Sequence, residues 1–345
     1  MLRNALTRIC CFVLLLIAAG CSHQEPPAAP PGGPTATTGA APTGGSNAPG
    51  GKNLTIAVIP KGTTHDFWKS VEAGAQAAGK ELGVQIQWKG PLLENDRAQQ
   101  IAIVEQFVSG NVSGIVLAPL DDTALVKPVQ SSMAKGIPVV IIDSALKGTP
   151  GKDFVSFVAT NNHKGGVLGG ERLAQLLGNK GKVVLLRYDV GSASTTERET
   201  GFLEVMKKNR GIQILVDNRF AGPTAGEAKT HAMEMVDKLK QADGIFCPNE
   251  SSTMGMLLAL RQNNLAGKVK FVGFDTTPPL VDALRSGEIN ALVAQNPVKM
   301  GHDGVKVMVD KVRGQTVPAH EDTGVTVVDR DNLTTPEVQK LLSGR

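Results

Sequence analysis

Beyond residue 51, short apolar runs rich in β-branched residues alternate with longer stretches whose apolar positions recur at helical spacing. Many of the short runs are apolar throughout, which is typical of parallel strands covered on both faces. The predicted strands span residues 54–59, 114–118, 138–142, 154–159, 182–186, 213–216, 244–247, 270–274 and 291–294. The predicted helices span residues 66–82, 96–109, 122–135, 164–178, 196–209, 225–241, 252–264, 278–286 and 297–313. This alternation predicts an α/β fold built from parallel, doubly wound sheets.

A break in the pattern indicates two lobes rather than one sheet. Residues 161–166 (Asn-Asn-His-Lys-Gly-Gly) interrupt the alternation, and a second break follows the strand at 291–294. The 294 residues from 52 to 345 correspond to two domains at roughly 100–200 residues each. Two lobes of similar size, joined by several crossings of the chain, are expected to enclose a cleft.

Composition narrows the class of protein. Apolar residues make up 41% and charged residues 20% of the sequence, which excludes disorder over most of the chain and a membrane protein with many spans. The formal net charge is only +4, and no run of Lys or Arg forms a basic stripe. A nucleic-acid-binding function therefore has no electrostatic support.

The N-terminal residues are typical of an export signal followed by a tether. A short basic segment leads into the twelve apolar residues 9–20, which are too few to span a bilayer and suit the core of a signal peptide. Small residues then precede Cys21, which resembles the lipobox of bacterial lipoproteins, although Ala18 stands where that motif usually has Leu. Residues 22–51 contain seven Pro and seven Gly and have no apolar periodicity, which indicates a flexible leash.

We therefore expect residues 1–20 to be a lipoprotein signal peptide and residues 21–51 to be a tether anchored by lipid on Cys21. The alternative is an ordinary cleaved signal peptide with an incidental cysteine. Either way, Cys247 is the one cysteine left in the folded part, so no internal disulfide forms there. Its apolar surroundings predict a buried side chain.

Polar and aromatic side chains follow the predicted strands, where ligands bind in open parallel sheets. The ligand-binding candidates are Lys61, His65, Phe67, Trp68, Asp143, Ser144, Arg198, Asn249, Asp275 and Gln295. Carboxylates, amides and an arginine fork suit the hydroxyls of a polyhydroxylated ligand, and flat aromatic faces suit the C–H side of a sugar ring. Taken singly, each Asp or Asn also fits the N-cap of a helix.

Six segments in order carry a resemblance to a known family. They are VIPKGTTHDFWKSVEAGAQAAGKELGV, IPVVIIDSA, ASTTERETGF, IFCPNESSTMGMLLAL, VKFVGFDTTP and ALVAQNPVKMG. Together they resemble the ribose-type periplasmic sugar-binding proteins, which are the solute receptors of bacterial ABC importers, over about residues 53–330. The resemblance implies two Rossmann-like lobes joined by a three-strand hinge, as in type I periplasmic binding proteins. The implied lobes are 52–160 with 296–323 and 161–295 with 324–345.

The resemblance also implies roles for residues at matching positions. Phe67 and Trp68 match the ring-stacking aromatics of the first lobe, and Arg198 matches the arginine of the second. The remaining matches are His65 at a polar position, the carboxylates Asp143 and Asp275, and the amides Asn249 and Gln295.

Three departures leave the sugar open. Ser144 stands where ribose receptors have Arg, Lys61 stands where a small hydroxyl residue is common, and residues 221–224 lack the second-lobe aromatic. We therefore expect a pentose, hexose or cyclic polyol. The segment Ile-Pro-Lys, which contains Lys61, also resembles the matching segment of autoinducer-2-binding receptors of the same fold.

Other functions have less support. The sequence has no G-x-S-x-G, C-x-x-C, H-E-x-x-H or Walker motif, so we expect no catalytic residue, cofactor or metal. A sugar-responsive repressor would need a DNA-binding helix-turn-helix where the signal and leash lie. A receptor for a sensor kinase or chemotaxis system, with a sugar or an autoinducer-2-like ligand, stays open as the alternative. The prediction is a monomeric receptor of the periplasm or cell envelope that delivers its ligand to an ABC permease.

Overall fold

The computed structural model of the protein describes residues 54–343, which form two six-stranded sheets. The first sheet contains β1 (Thr55–Ile59), β2 (Gln85–Trp88), β3 (Gly114–Leu117), β4 (Val139–Ile142), β5 (Ser156–Ala159) and β11 (His320–Asp322). The second contains β6 (Lys180–Arg187), β7 (Gly211–Phe220), β8 (Gly244–Phe246), β9 (Lys270–Phe274), β10 (Ala291–Gln295) and β12 (Val325–Asp329). Every pairing is parallel except that of β12 with β10, as the unbroken apolar runs predicted.

Helices cover both sheets, and each sheet with its helices is called a lobe here. The first lobe carries α1 (Asp66–Leu82), α2 (Arg97–Ser109), α3 (Val126–Ala134) and α10 (Pro297–Val312). The second carries α4 (Asn162–Leu176), α5 (Ala193–Lys208), α6 (Ala225–Glu234), α7 (Val236–Leu239), α8 (Glu250–Gln262), α9 (Pro278–Ser286) and α11 (Pro336–Ser343). The predicted α/β class with two lobes is confirmed.

The two sheets share one topology. The strand order is β11-β5-β4-β3-β1-β2 in the first lobe and β12-β10-β9-β8-β6-β7 in the second. Strand β4 of the first lobe therefore occupies the place that β9 occupies in the second. Residues directly after these two strands, Asp143 and Asp275, are related in the same way.

The chain passes between the lobes three times among the described residues. It does so between β5 and α4, between β10 and α10, and between β11 and β12. Thr160 and Thr323 lie side by side at two of these crossings, with their hydroxyl oxygens 3.4 Å apart. The backbone N–H of Thr323 donates to the Ala159 carbonyl at 3.0 Å.

Each predicted helix has a counterpart whose ends lie within four residues of the predicted ends, except at one place. The prediction of a single helix over 225–241 is wrong, because α6 ends before Met235 and α7 begins after it. Met235 has φ −111° and ψ 24°, outside the helical geometry, and its side chain is buried in the second-lobe core. The Met235 side chain is thus buried where the helix breaks. The spacing of apolar residues in the sequence does not reveal this break.

Three of the four edge strands, β2, β11 and β12, were not predicted, whereas edge strand β7 was predicted over residues 213–216. Edge strand β2 reads Gln-Ile-Gln-Trp and is half exposed, and β11 is the charged triplet His-Glu-Asp. Such strands lack the continuous apolar run of an interior strand. Helix α11 was also missed. The predicted burial of Cys247 is confirmed.

The predicted signal peptide, the leash and Cys21 lie outside the described residues. Between residues 54 and 343, no helix is both long enough and apolar enough to cross a membrane.

Candidate functional site

A small cavity lies between the lobes at the carboxyl ends of the strands, with about 20 Å³ open to the centre of a water-sized sphere. This space holds about one water molecule, so it is smaller than a typical small-molecule site. Its lining comprises Lys61, His65, Phe67, Trp68, Glu94, Asp143, Ser194, Thr195, Arg198, Asn249, Glu250, Asp275 and Gln295. Nine of the ten predicted residues are thus brought together around one space.

Ser144 is the predicted residue that does not line the cavity. Its side chain is fully buried, and its Oγ accepts a hydrogen bond from the backbone N–H of Ser194 at 3.1 Å. This contact joins the loop after β4 in the first lobe to α5 in the second.

Four lining residues were not in the predicted set. Glu94 follows edge strand β2, and that strand was itself unpredicted. Ser194 and Thr195 precede Arg198 on α5 by four and three residues, so they share its helix face. That spacing is the signal that identifies them in the sequence. Glu250 directly follows Asn249 and is the first residue of α8.

The two carboxylates that follow equivalent strands have the same unusual backbone. Asp143 has φ 62° and Asp275 has φ 70°, a left-handed conformation that is uncommon for residues other than glycine. Each donates its backbone N–H across to the next strand, to Val158 and Val293 respectively. Strained residues of this kind cluster at functional sites, where the surrounding structure holds them in place. Burial raises the pKa of Asp275, and Arg198 opposes that rise.

Arg198 is the most highly connected side chain of the second lobe's wall. Its guanidinium donates to Asn162 Oδ1 at 2.8 Å, to the Pro248 carbonyl at 2.9 Å and to Gln295 Oε1 at 2.8 Å. It also lies 3.9 Å from the centre of the Phe274 ring, within cation–π range.

Glycines in α4 allow α5 to place this arginine. A Cβ on Gly166 would lie 1.9 Å from the Arg198 carbonyl oxygen, which is too close for any side chain. Close approach of the two helices therefore fixes the depth of Arg198.

Asn249 and Gln295 are positioned by local structure. Asn249 is the N-cap of α8 and forms a capping box with Ser252, so the helix-cap interpretation holds for this residue. Its amide nitrogen donates to Ser251 Oγ at 3.2 Å. Gln295 ends β10 and donates to Asp275 Oδ1 at 2.7 Å while it accepts from Arg198.

The first lobe contributes the aromatic wall and a charged group. Phe67 and Trp68 lie in the first turn of α1 and pack edge to face, with ring centres 4.9 Å apart. Burial alone would lower the pKa of His65, but the Glu94 carboxylate overrides it and raises the pKa to about 9. Burial alone would raise the pKa of Glu94, but His65 and then Lys61 lower it to about 2. Both side chains are therefore charged at neutral pH.

Residues 56–316 match the periplasmic binding protein domain family. The chain belongs to this family. The D-allose-binding periplasmic protein of Escherichia coli (strain K12) is 30% identical over 79% of this chain and 89% of its own length.

Solved structures of periplasmic binding proteins superpose on this one. A carbohydrate transporter solute-binding protein from Agrobacterium radiobacter, in complex with D-arabinose, is 34% identical with a TM-score of 0.80, covering 84% of this chain and 98% of its own. An ABC transporter solute-binding protein from Agrobacterium vitis, with bound D-fucose, is also 34% identical with a TM-score of 0.80, covering 83% and 98%. The predicted family and fold are confirmed, and membership implies an exported, solute-binding protein.

Proposed function

We propose that this periplasmic binding protein holds one uncharged monosaccharide or cyclic polyol between its lobes and delivers it to an ABC permease. One observation carries the proposal: acids, amides and a buried arginine from both lobes converge with two aromatic side chains on a single cavity. Hydroxyl groups both donate and accept hydrogen bonds, so a sugar satisfies a wall of this mixed kind. The related proteins named for D-allose or solved with D-arabinose or D-fucose support the same ligand class.

The charges in the cavity favour a ligand without a negative charge. The acidic lining residues are Glu94, Asp143, Glu250 and Asp275, and the basic ones are Lys61, His65 and Arg198. Basic groups do not outnumber acidic ones, so a sugar acid or sugar phosphate would bring an anion without a compensating cation. Burying an unpaired charge is costly, which disfavours such ligands.

Isothermal titration against a panel of sugars tests the proposal. We expect one site per chain for at least one of D-arabinose, D-fucose, D-allose or xylitol, and no heat of binding for D-glucuronate. Binding only to D-glucuronate, a peptide or a metal ion would contradict the proposal.

Closure of the lobes is the mechanical step that links binding to delivery. Because the lining residues come from both lobes, the ligand binds the closed form more tightly than the open form and shifts the population toward it. The three crossings near residues 160–161, 295–296 and 323–324 are the proposed hinge, and they divide the chain into 52–160 with 296–323 and 161–295 with 324–345. Small-angle scattering should show a smaller radius of gyration at saturating ligand, whereas an unchanged curve would mean a rigid cleft.

The remaining parts of the proposal concern the oligomeric state, the lack of catalytic activity and the location of the protein. We propose a monomeric receptor without catalytic activity, anchored in the cell envelope by lipid on Cys21. The resemblance to autoinducer-2 receptors depended on Lys61, and all three N–H groups of that ammonium contact protein atoms. We therefore do not extend the proposal to that ligand.

A further inference from the structure

Lys61 lines the cavity, but its hydrogen-bonding capacity is used by the protein. Its Nζ lies 3.1 Å from Asp143 Oδ2, 3.2 Å from Ser192 Oγ and 2.9 Å from Ser194 Oγ. An ammonium group has three N–H donors, so these three contacts saturate it. The two serines belong to the beginning of α5 in the second lobe, so this lysine ties one lobe to the other.

His65 makes a second connection across the cleft. Its Nε2 lies 2.9 Å from the Pro223 carbonyl oxygen of the second lobe, and its Nδ1 lies 2.7 Å from Glu94 Oε1. A carbonyl oxygen only accepts, so Nε2 carries a proton. Since the Glu94 carboxylate is ionised, Nδ1 donates as well, and the ring is an imidazolium with both donors used.

Glu94 accepts three hydrogen bonds from protein groups, which uses three of the roughly four acceptor positions of a carboxylate. Besides His65, its carboxylate accepts from Trp68 Nε1 at 2.6 Å and from the Tyr188 hydroxyl at 2.7 Å. Tyr188 is a buried residue of the second lobe, and it follows β6. Hydrogen bonds to a charged acceptor are stronger than neutral ones, so the Tyr188 contact contributes directly to closure.

Glu250 makes the reciprocal connection from the second lobe to the first. Its two carboxylate oxygens accept from the backbone N–H groups of Asp66 at 3.1 Å and Phe67 at 2.9 Å. These are the first two residues of α1, whose N–H groups have no partner within the helix. In the described part of the chain, the N-cap residue His65 makes no capping hydrogen bond with its side chain. A carboxylate from the opposite lobe therefore caps α1.

The other polar lining residues keep capacity for a ligand. Among contacts within residues 54–343, Arg198 uses three of its five N–H donors, and Asn249 and Gln295 each use one of two amide N–H donors. Asp143 Oδ1 has no protein donor within hydrogen-bonding distance in the same range, since Lys61 contacts Oδ2. The polar lining residues thus differ in what they connect: the side chains of Lys61, His65, Glu94 and Glu250 contact the opposite lobe, whereas those of Arg198, Asn249, Asp275 and Gln295 contact groups of the second lobe and its hinge.

We propose that Lys61, His65, Glu94, Tyr188 and Glu250 form an interlobe clasp that positions the lobes and sets the open–closed equilibrium. Arg198, Asn249, Asp143, Asp275 and Gln295 form the set that distinguishes one ligand from another. The assignment rests on the proposed function only for the choice of ligand, because the clasp contacts are made between protein groups.

The two sets have different consequences for affinity. When the closed form is only partly populated, the apparent Kd of every ligand is raised by the same factor, the inverse of the closed fraction. Weakening the clasp lowers that fraction, so it weakens all sugars equally. Removing a group that contacts hydroxyls changes the ratio of affinities between sugars that differ at one hydroxyl.

Tyr188→Phe is the sharpest test, because it removes one hydroxyl and keeps the ring. We expect Kd for D-arabinose, D-fucose and D-allose, measured by titration, to rise by one common factor of about 10- to 160-fold, as for loss of a hydrogen bond to a charged group. Gln295→Leu is the comparison variant, and it should change the ratio of Kd between sugars by more than about 10-fold. Thermal melting verifies that each variant is folded at the temperature of titration.

Several outcomes would overturn the clasp. Unchanged Kd values in Tyr188→Phe, or a changed ratio between sugars, would show that Tyr188 does not act through closure alone. Should Tyr188→Phe fail to fold, Ser192→Ala takes its place with the same expected direction, since it removes an acceptor of the interlobe contact from Lys61 and does not line the cavity.

A ligand-free measurement separates this inference from the proposed function. If none of the sugars binds the unaltered protein, the proposed ligand class fails, but the clasp is still tested. Paramagnetic relaxation between a spin label on one lobe and amide protons of the other should then be weaker in ligand-free Tyr188→Phe than in the unaltered protein, because it scales with the closed fraction even when that fraction is small. Equal relaxation in that comparison would overturn the clasp.

Discussion

Replacement of Arg198 by Ala probes binding and folding at once, because this side chain serves both. It is almost fully buried and donates to three protein acceptors on three segments of the second lobe and its hinge. Asp275 and Asp143 are the carboxylates that interact most strongly with its charge. Alanine would leave these acceptors without a donor and the carboxylates without a counter-charge.

The magnitude follows from these contacts. Breaking a buried charge network by removing one partner costs about 3–5 kcal/mol of the free energy of unfolding. The two guanidinium N–H donors that remain for a ligand are each worth about 1.5–3 kcal/mol as charged hydrogen bonds, and such terms do not add fully. We expect binding to weaken by about 2–4 kcal/mol, which raises Kd by about 30- to 700-fold.

Titration calorimetry with a bound sugar measures the first quantity, and urea unfolding measures the second. Arg261→Ala is the matched control, since Arg261 lies in the same lobe and pairs with Glu288 at 2.6 and 2.9 Å on the surface, away from the cavity. That surface pair should contribute no more than about 1 kcal/mol to stability and nothing to affinity.

Two results would refute the reasoning. A folded Arg198→Ala variant with unchanged Kd would mean that the arginine is purely structural. A variant with weakened binding but unaltered stability would mean that its three protein contacts are not formed in solution.

Three further predictions concern packing, pH and anchoring. Gly166→Ala should lower the free energy of unfolding, measured in urea, by about 1–3 kcal/mol, because its Cβ would overlap the Arg198 carbonyl. The control Gly226→Ala, at an exposed helical position with room for a Cβ, should be neutral or stabilising. Equal effects of the two substitutions would contradict the packing argument. Burial raises the pKa of Glu199 to about 7 from an ordinary 4.5, so between these pH values the folded state holds a proton that the unfolded state loses, and stability falls as pH rises. The melting temperature of Glu199→Gln should therefore increase relative to that of the unaltered protein between pH 5 and pH 8. A constant difference would show that the carboxyl is not buried in solution. Cys21→Ala should move the protein from the membrane to the soluble fraction on cell fractionation, without change in ligand affinity, and retention in the membrane would contradict lipid anchoring.

Much of the architecture could be predicted from the sequence because its signals are local. Apolar runs such as Val139–Ile142 record burial on both faces, and their alternation with helices leads to parallel sheets. Polar residues that directly follow such strands, including Asp143 and Asp275, must then meet at one edge. The two residues share a left-handed backbone that only the structure shows.

The partners of each side chain were decided by tertiary structure alone. Lys61 was predicted as a ligand-binding residue from its place after β1, but the sequence does not show that its ammonium contacts Asp143 and serines more than 130 residues away. Glu94 follows a strand too exposed to be predicted, and it meets Tyr188 94 residues later only because the lobes close. Periodicity encodes which face of an element is buried, since burial repeats with the geometry of the helix or strand. Periodicity does not encode which hydrogen bonds form when the two lobes come together.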